Sequence, residues 1–448
     1  MSFVFDLIML VFKYIYKIMY IFSWDYIKEK WGHIGFQKYF RNMGWSFTGK
    51  IFSLLMSLIV GTLVARYLGP ERYGVLNYAL SFVAIFSFLS SFGIDNIIVR
   101  DLIKYKENKK SILNTAFVLK LTGGGLVILL STVTSILIKN DFYTTVLIFL
   151  YSLQLVFASL SIIDSYFQSI IIYKYSFIAQ FISTVAVSAL KLYLVFMGLG
   201  TGWFILALVF EIAVYSFIIL KIFIKNGQKI QFDFNFTLAK TMLSDAWPFI
   251  LSSAFYLIYT KIDQVMIGRM IDTTSLGIYA AGVKLAEIWY FIPAIICGVL
   301  LPAIVNAKIV HNELYVKRIK KMFIFVTIIA LSIALFEFIF AKYLILILFG
   351  HAYLGSIIIL KIYTWAGVVV SIIMVLQQYL TVENSTKLIM ISSFIGALVN
   401  VILNFVFIPK FGIIGSAWAT VISYSMIPLI IIIYTKLHIN SNGIKNIK

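Results

Sequence analysis

Apolar residues run in stretches of about 20 or more along nearly the whole chain, separated by short polar connections. Each stretch is long enough to cross a hydrocarbon core about 30 Å thick as a helix. The pattern places spans near 43 to 67, 75 to 98, 112 to 138, 142 to 167, 176 to 197 and 202 to 224. A second set falls near 246 to 268, 277 to 304, 322 to 345, 356 to 380, 387 to 408 and 412 to 436. This predicts an all-α polytopic membrane protein of about twelve transmembrane helices, with no soluble domain between them. The exceptions to the pattern carry the chemistry: Lys50, Lys120, Lys191, Lys261, Lys284 and Lys361 all lie inside spans. A charge at the bilayer centre costs roughly 2.5 to 3.5 kcal/mol on insertion scales, so six facing lipid would cost on the order of 15 to 20 kcal/mol. They are expected to face a polar interior, and a positive interior predicts an anionic cargo.

Composition agrees: of 448 residues 62% are hydrophobic and 12% charged, and the mean hydropathy is +0.99. The net charge of +19 does not point to nucleic acid, because the basic residues sit mainly in short loops rather than along one exposed face. The single cysteine, Cys297, excludes an intramolecular disulfide and fits a small buried hydrophobe. His33, His311, His351 and His438 are scattered without metal-ligand spacing, and no nucleotide-binding motif is present. Gly123, Gly124 and Gly125 lie inside a span and follow no strand, so they read as close helix packing. No catalytic residue, cofactor or metal is predicted.

Counting Lys and Arg on alternate sides gives the orientation. One side holds the clusters around 13 to 41, 100 to 110, 221 to 240 and 308 to 321, whereas the other holds only Arg66, Arg72, Lys139, Arg269, Lys342 and Lys410. Both termini are therefore predicted to be cytoplasmic. In the N-terminal segment 1–42, residues 3 to 22 are apolar but interrupted by Lys13 and Lys17. They read either as a helix lying in the interface or as a dispensable extension.

The chain also reads as a duplication. Arg66 precedes Gly74 by eight residues and Arg269 precedes Gly277 by eight, each pair bracketing the first outside turn of a six-span set. Gly200, Gly202 and Trp203 are echoed by Gly412, Gly415 and Trp418. Six spans per half make the repeat parallel, with two six-helix bundles over 43–224 and 246–436, a cytoplasmic linker over 225–245 and a tail over 437–448.

The run from Leu68 to Asp101, LGPERYGVLNYALSFVAIFSFLSSFGIDNIIVRD, resembles the start of the polysaccharide transporter family, which includes the Wzx-type O-antigen flippases. Pro248, Asp263-Gln264, the string Gly277 to Ala281, Pro293 and Pro302 look like the opening of that family's second half, and Ile408 to Thr420 like its last helix pair. The resemblance covers roughly residues 40 to 437. It implies the V-shaped fold of the multidrug, oligosaccharidyl-lipid and polysaccharide exporters, in the cytoplasmic membrane of a bacterium. The implied activity is to turn an isoprenoid-diphosphate-linked oligosaccharide, such as an O-antigen repeat unit, from the inner to the outer leaflet by alternating access. The implied setting is a monomer among membrane lipids, beside other polysaccharide assembly proteins. The two extra helices common in lipid II flippases are not found.

The charges divide by depth. Lys50 and Lys120 lie roughly 10 to 12 Å from the cytoplasmic ends of their spans, where they either snorkel or hold cargo. Lys261 and Lys284 lie in the outer half. Lys284 and Glu287, three apart on one face, either neutralise each other or make Lys284 a mobile ligand for a diphosphate or acidic sugar. Lys50, Lys120, Lys261 and Lys284 are the candidate substrate ligands. Asp263, Glu287, Glu211 and Glu337 are the candidates for ion coupling or charge pairing. Lys191 and Lys361, near span ends, are expected to snorkel, and Asp95 to pair with Arg100. Tyr256, Tyr259, Tyr279, Trp289 and Tyr290 either stack on sugars or form an interfacial belt. An ion-coupled multidrug or metabolite antiporter on the same fold is the alternative function. A polysaccharide polymerase or glycosyltransferase would want a large outside loop or a polar catalytic face, and neither is visible.

Overall fold

The computed structural model describes residues 34 to 383 and 385 to 445. The expectation for residues 3 to 22 lies outside them, as does the end of the tail, 446 to 448. Regular structure among the described residues is entirely helical. Helix α1 (Ile34–Phe86) is two arms meeting at Gly69, whose φ of 69° and ψ of 171° suit a residue without Cβ. Pro70 then opens the second arm, where its missing N–H leaves no bond unmade. Short α2 (Phe88–Ser91) and α3 (Asp95–Lys104) lead into α4 (Lys109–Leu137). The next crossing is assembled from α5 (Phe142–Ser152), α6 (Gln154–Ala158) and α7 (Ile162–Ser169), followed by α8 (Lys174–Phe196) and α9 (Thr201–Lys225). The second half comprises α10 (Phe236–Met270), α11 (Thr273–Glu287), α12 (Phe291–Val310), α13 (Asn312–Leu348), α14 (Ser356–Val382) and α15 (Thr386–Lys445). Like α1, α15 is broken at a glycine, Gly412, with φ 59° and ψ −143°.

Nine helical runs among the described residues are long and apolar enough to cross a membrane. Two of them, Thr48–Phe86 and Lys387–Thr435, contain the breaks at Gly69 and Gly412. The 35-residue α10 is not among the nine, its apolar stretch being diluted by Lys261, Asp263 and Gln264. That helix also starts ten residues before the expected 246: Asn235 caps it by accepting from the Leu238 amide at 3.0 Å. The connection before it is tied to the start of α4, where Asn114 accepts from the Gln231 amide at 2.9 Å and Thr115 from the Asn235 amide at 3.2 Å.

The halves meet where α1 packs along α10 and α11, while α10 also packs on α15. Outward faces keep large apolar side chains such as Phe142 and Phe196 (85% and 84% exposed), which a bilayer would cover. Gly123 and Gly124 are the close-packing sites their sequence suggests: a Cβ would lie 2.3 Å from the Leu89 oxygen and 3.1 Å from the Leu155 oxygen. Gly125 faces open space.

At the end of the bundle carrying Gly69, hereafter the glycine end, the duplication becomes a reciprocal contact. A Cβ on Gly74 would sit 1.7 Å from the Thr273 oxygen, and one on Gly277 would sit 1.9 Å from the Pro70 oxygen. The two backbones touch, so any side chain at either position would push the halves apart. Gly277 makes this close approach, whereas Gly69 makes the break in α1. The two arginines cross over in the same way. Arg66 donates to the Leu346 and Ile347 carbonyls at the end of α13, and Arg269 donates to the Ile138 carbonyl at the end of α4. Each half thus satisfies orphan helix-end carbonyls of the other with a positive charge. Tyr353 adds a bond across the junction, donating to the Ala65 carbonyl at 2.7 Å.

Gly74→Val is therefore expected to wedge this end open. In a Cys297→Ala background, a cysteine placed at Ser81, buried beneath the crossing, should react with a membrane-impermeant thiol reagent several-fold faster in Gly74→Val than with Gly74 intact. Equal rates would show that the crossing does not hold this end shut.

Candidate substrate cavity and buried ion network

Within the first half lies a cavity of about 210 Å³, walled by α1, α8, α9 and one residue of α11 that reaches in from the second half. Lys284 is that residue, and Gly61 makes room for it: a Cβ at position 61 would lie 2.4 Å from the lysine Nζ. No carboxylate or hydrogen-bond acceptor among the described residues pairs with Lys284. Facing it across the same cavity are Lys191 and Glu211, whose Nζ and Oε2 are 3.1 Å apart. Ser53, Ser57, Asn77 and Ser188 supply neutral polar wall. The volume is below the roughly 300 Å³ of a small-ligand pocket, so this state has room for a headgroup fragment and not for a glycan.

The expected pairing of Lys284 with Glu287 is not made. Glu287 ends α11, where the backbone tightens into a 3-10 turn, and it faces α10 and α14 instead. There its Oε2 lies 3.7 Å from Lys261 Nζ, and Tyr363 donates to Oε1 at 3.3 Å. Lys284 points the opposite way, into α1. Lys191 is not a snorkelling residue but part of the cavity wall. The signal was in the sequence: α8 and α9 are joined by a short turn and must pack antiparallel, so a lysine in one and a glutamate in the next fall within reach. Lys361 has its ammonium 5.2 Å from the centre of the Phe338 ring.

Lys120 is set apart from the cavity. It is buried in α4 and donates to Asp95 and, at 2.8 Å, to Ser161. Asp95 therefore does not pair with Arg100 as expected. Arg100, on the outer face of α3, turns to Asp101 at 2.8 Å and to Asp245 of α10 at 2.6 Å, a contact between the halves. Lys50 is exposed on the first arm of α1.

A second polar cluster fills the core of the other half. Asp263 is fully buried; its Oδ2 accepts from the Tyr279 hydroxyl at 2.6 Å and its Oδ1 from the Gln264 amide at 2.7 Å. Gln264 accepts from Ser81 of the opposite half at 2.8 Å, which connects Asp263 to the junction. On α15, Asn404 donates to Asn400, Asn400 to Ser423 at 2.9 Å and Ser416 to Asn404 at 2.6 Å, all with no exposed surface. Asn400, Asn404, Ser416 and Thr420 carry no charge, and sequence reading passed over them. Of the aromatic candidates, Tyr259 and Tyr279 are core residues and Tyr256 is exposed. Glu337 lies elsewhere, under α14.

Residues 39–308 match the family described as polysaccharide biosynthesis protein. No curated protein matches the chain. Among solved structures, a lipid II flippase MurJ in an inward closed conformation is similar over 89% of this chain and 87% of its own, with 19% identity and a TM-score of 0.68. An inward-facing multidrug resistance MATE family transporter of the MOP superfamily covers 87% and 95%, with 15% identity and a TM-score of 0.70. A mutant of the Vibrio cholerae MATE transporter VcmN covers 90% and 98%, with 14% identity and a TM-score of 0.63. At these identities the likeness shows a shared fold, and the chain has the all-helical membrane transporter fold of the MOP superfamily. The family match spans more than half of the sequence, so this chain belongs to the polysaccharide biosynthesis protein family.

Proposed function

We propose that this protein is a flippase that moves an isoprenoid-diphosphate-linked oligosaccharide, such as an O-antigen or other surface polysaccharide repeat unit, from the inner to the outer leaflet of a bacterial cytoplasmic membrane. The observation that carries this reading is Lys284: an ammonium unpaired among the described residues, reaching from the second half into a cavity of the first whose wall also holds Lys191. A diphosphate supplies the missing negative charge, and a lysine holds it as a mobile point charge that can let go. Glu211 keeps Lys191 neutralised until the anion arrives. The bundles over 43–224 and 246–436 act as the two lobes, the basic end faces the cytoplasm with both termini, and opening of the glycine-end junction releases cargo outward. Asp263, linked through Gln264 to Ser81, is the carboxylate best placed to couple a proton or sodium ion to that movement. Lys261, already paired with Glu287, and Lys120 and Lys50, outside the cavity wall, contribute at most secondary contacts.

The competing reading is an ion-coupled drug or metabolite antiporter, favoured by the MATE-like fold and by Glu211 in the cavity wall. Glycosyltransferase and sugar-nucleotide genes beside this one would support the flippase, whereas a gene standing alone would favour the antiporter.

Lys284→Ala should abolish surface glycan export with protein level and membrane insertion intact, and Lys284→Arg should retain part of it. Normal surface glycan in Lys284→Ala would remove Lys284 from the site. Lys191→Ala should also lower export, since it leaves Glu211 in the cavity wall as an uncompensated negative charge that repels an anionic cargo. Asp263→Asn should leave cargo binding in place and flatten the dependence of transport on an imposed ion gradient; a gradient response like that of the wild type would exclude Asp263 from coupling.

A further inference from the structure

A second, small site lies away from the cargo cavity, between α11, α12, α13 and α14. It is a void of about 20 Å³, close to the volume that one water-sized guest needs, and its walls include Glu337, Trp289, Tyr290, Pro293, Thr364 and Ser371. Glu337 is only 2% exposed, and no lysine, arginine or histidine among the described residues pairs with it. Its Oε2 accepts from Thr364 at 2.6 Å. The other oxygen, Oε1, is buried and has no partner, and neither has the buried hydroxyl of Tyr290 in the same wall.

The donor on one carboxylate oxygen and the vacancy at the other describe an anion with half of its shell filled. A buried carboxylate with no cation in contact is costly by several kcal/mol, and the void offers oxygen ligands and negative charge in a space too small for a hydrated ion or an organic molecule. We propose that this void binds one dehydrated sodium ion through Glu337 Oε1 and the Tyr290 hydroxyl. The ion would fasten α11 and α12 to α13 and α14 inside the second half. The inference does not depend on what the cargo is, and the site shares no residue with the Asp263 network.

Binding of radiolabelled sodium to the purified full-length protein tests it, at fixed pH with choline holding the ionic strength. Glu337→Gln, which keeps the shape and can still accept from Thr364, should lose one sodium per chain, through a fall in affinity of about tenfold or more. Tyr290→Phe removes a hydroxyl that makes no other hydrogen bond, so it should weaken the same ion about threefold without altering thermal stability in choline. Asp263→Asn should leave this ion bound. Sodium binding unchanged in both Glu337→Gln and Tyr290→Phe would overturn the proposal. So would a wild type whose stability responds to pH but not to sodium, since the guest would then be a water beside a protonated carboxyl.

Discussion

A charge inside a bilayer-spanning bundle must be met by an opposite charge, a polar group or water, because lipid offers none of these. That constraint arranges the interior of this protein. Lys120 is met by Asp95 and Ser161, Lys191 by Glu211, Lys261 by Glu287, and Lys361 by the face of Phe338. Among the described residues Lys284 has no such partner, and it lies inside a cavity, whereas Lys50 is exposed. Such an arrangement is costly unless an anion completes it, and an anion that binds and leaves is a cargo.

The same constraint links the site to the junction between the halves. Helix α11 carries Gly277, whose backbone touches that of α1, and two turns later Lys284, whose ammonium rests against Gly61 of the same helix. Helix α10 carries Arg269, which reaches the end of α4, and Gln264, which reaches Ser81. Separating the halves at the glycine end would therefore pull Lys284 away from its cavity wall and break the route from Asp263 to the first half. On the proposed reading, movement and cargo release are mechanically joined through these two helices.

Much of the fold was legible in the sequence because it depends on local and periodic features: span length, short polar connections, and the equal Arg66–Gly74 and Arg269–Gly277 spacings. Except for Lys191 and Glu211, on helices joined by a short turn, the partner of each charge was not legible. Lys284 and Glu287 share a helical face, yet the turn at Ile288 and the flanking helices send them to different neighbours. Asp95 lies five residues from Arg100 but meets a lysine 25 residues away, since burial leaves Lys120 no water to turn to. Lys191 near its span end fitted a snorkelling pattern, and only the packing of α8 on α9 and α1 brings it into the cavity wall. The uncharged ring of Asn400, Asn404, Ser416 and Thr420 left no mark, since polar residues of that size are common in membrane helices.

The most direct measurement of the central claim is binding of a soluble short-chain isoprenoid diphosphate to the purified protein, compared between the wild type and Lys284→Gln. The account predicts saturable binding by the wild type, competed by inorganic diphosphate, and a loss of about tenfold or more in affinity when the ammonium is removed. Equal affinity in the two proteins would contradict it.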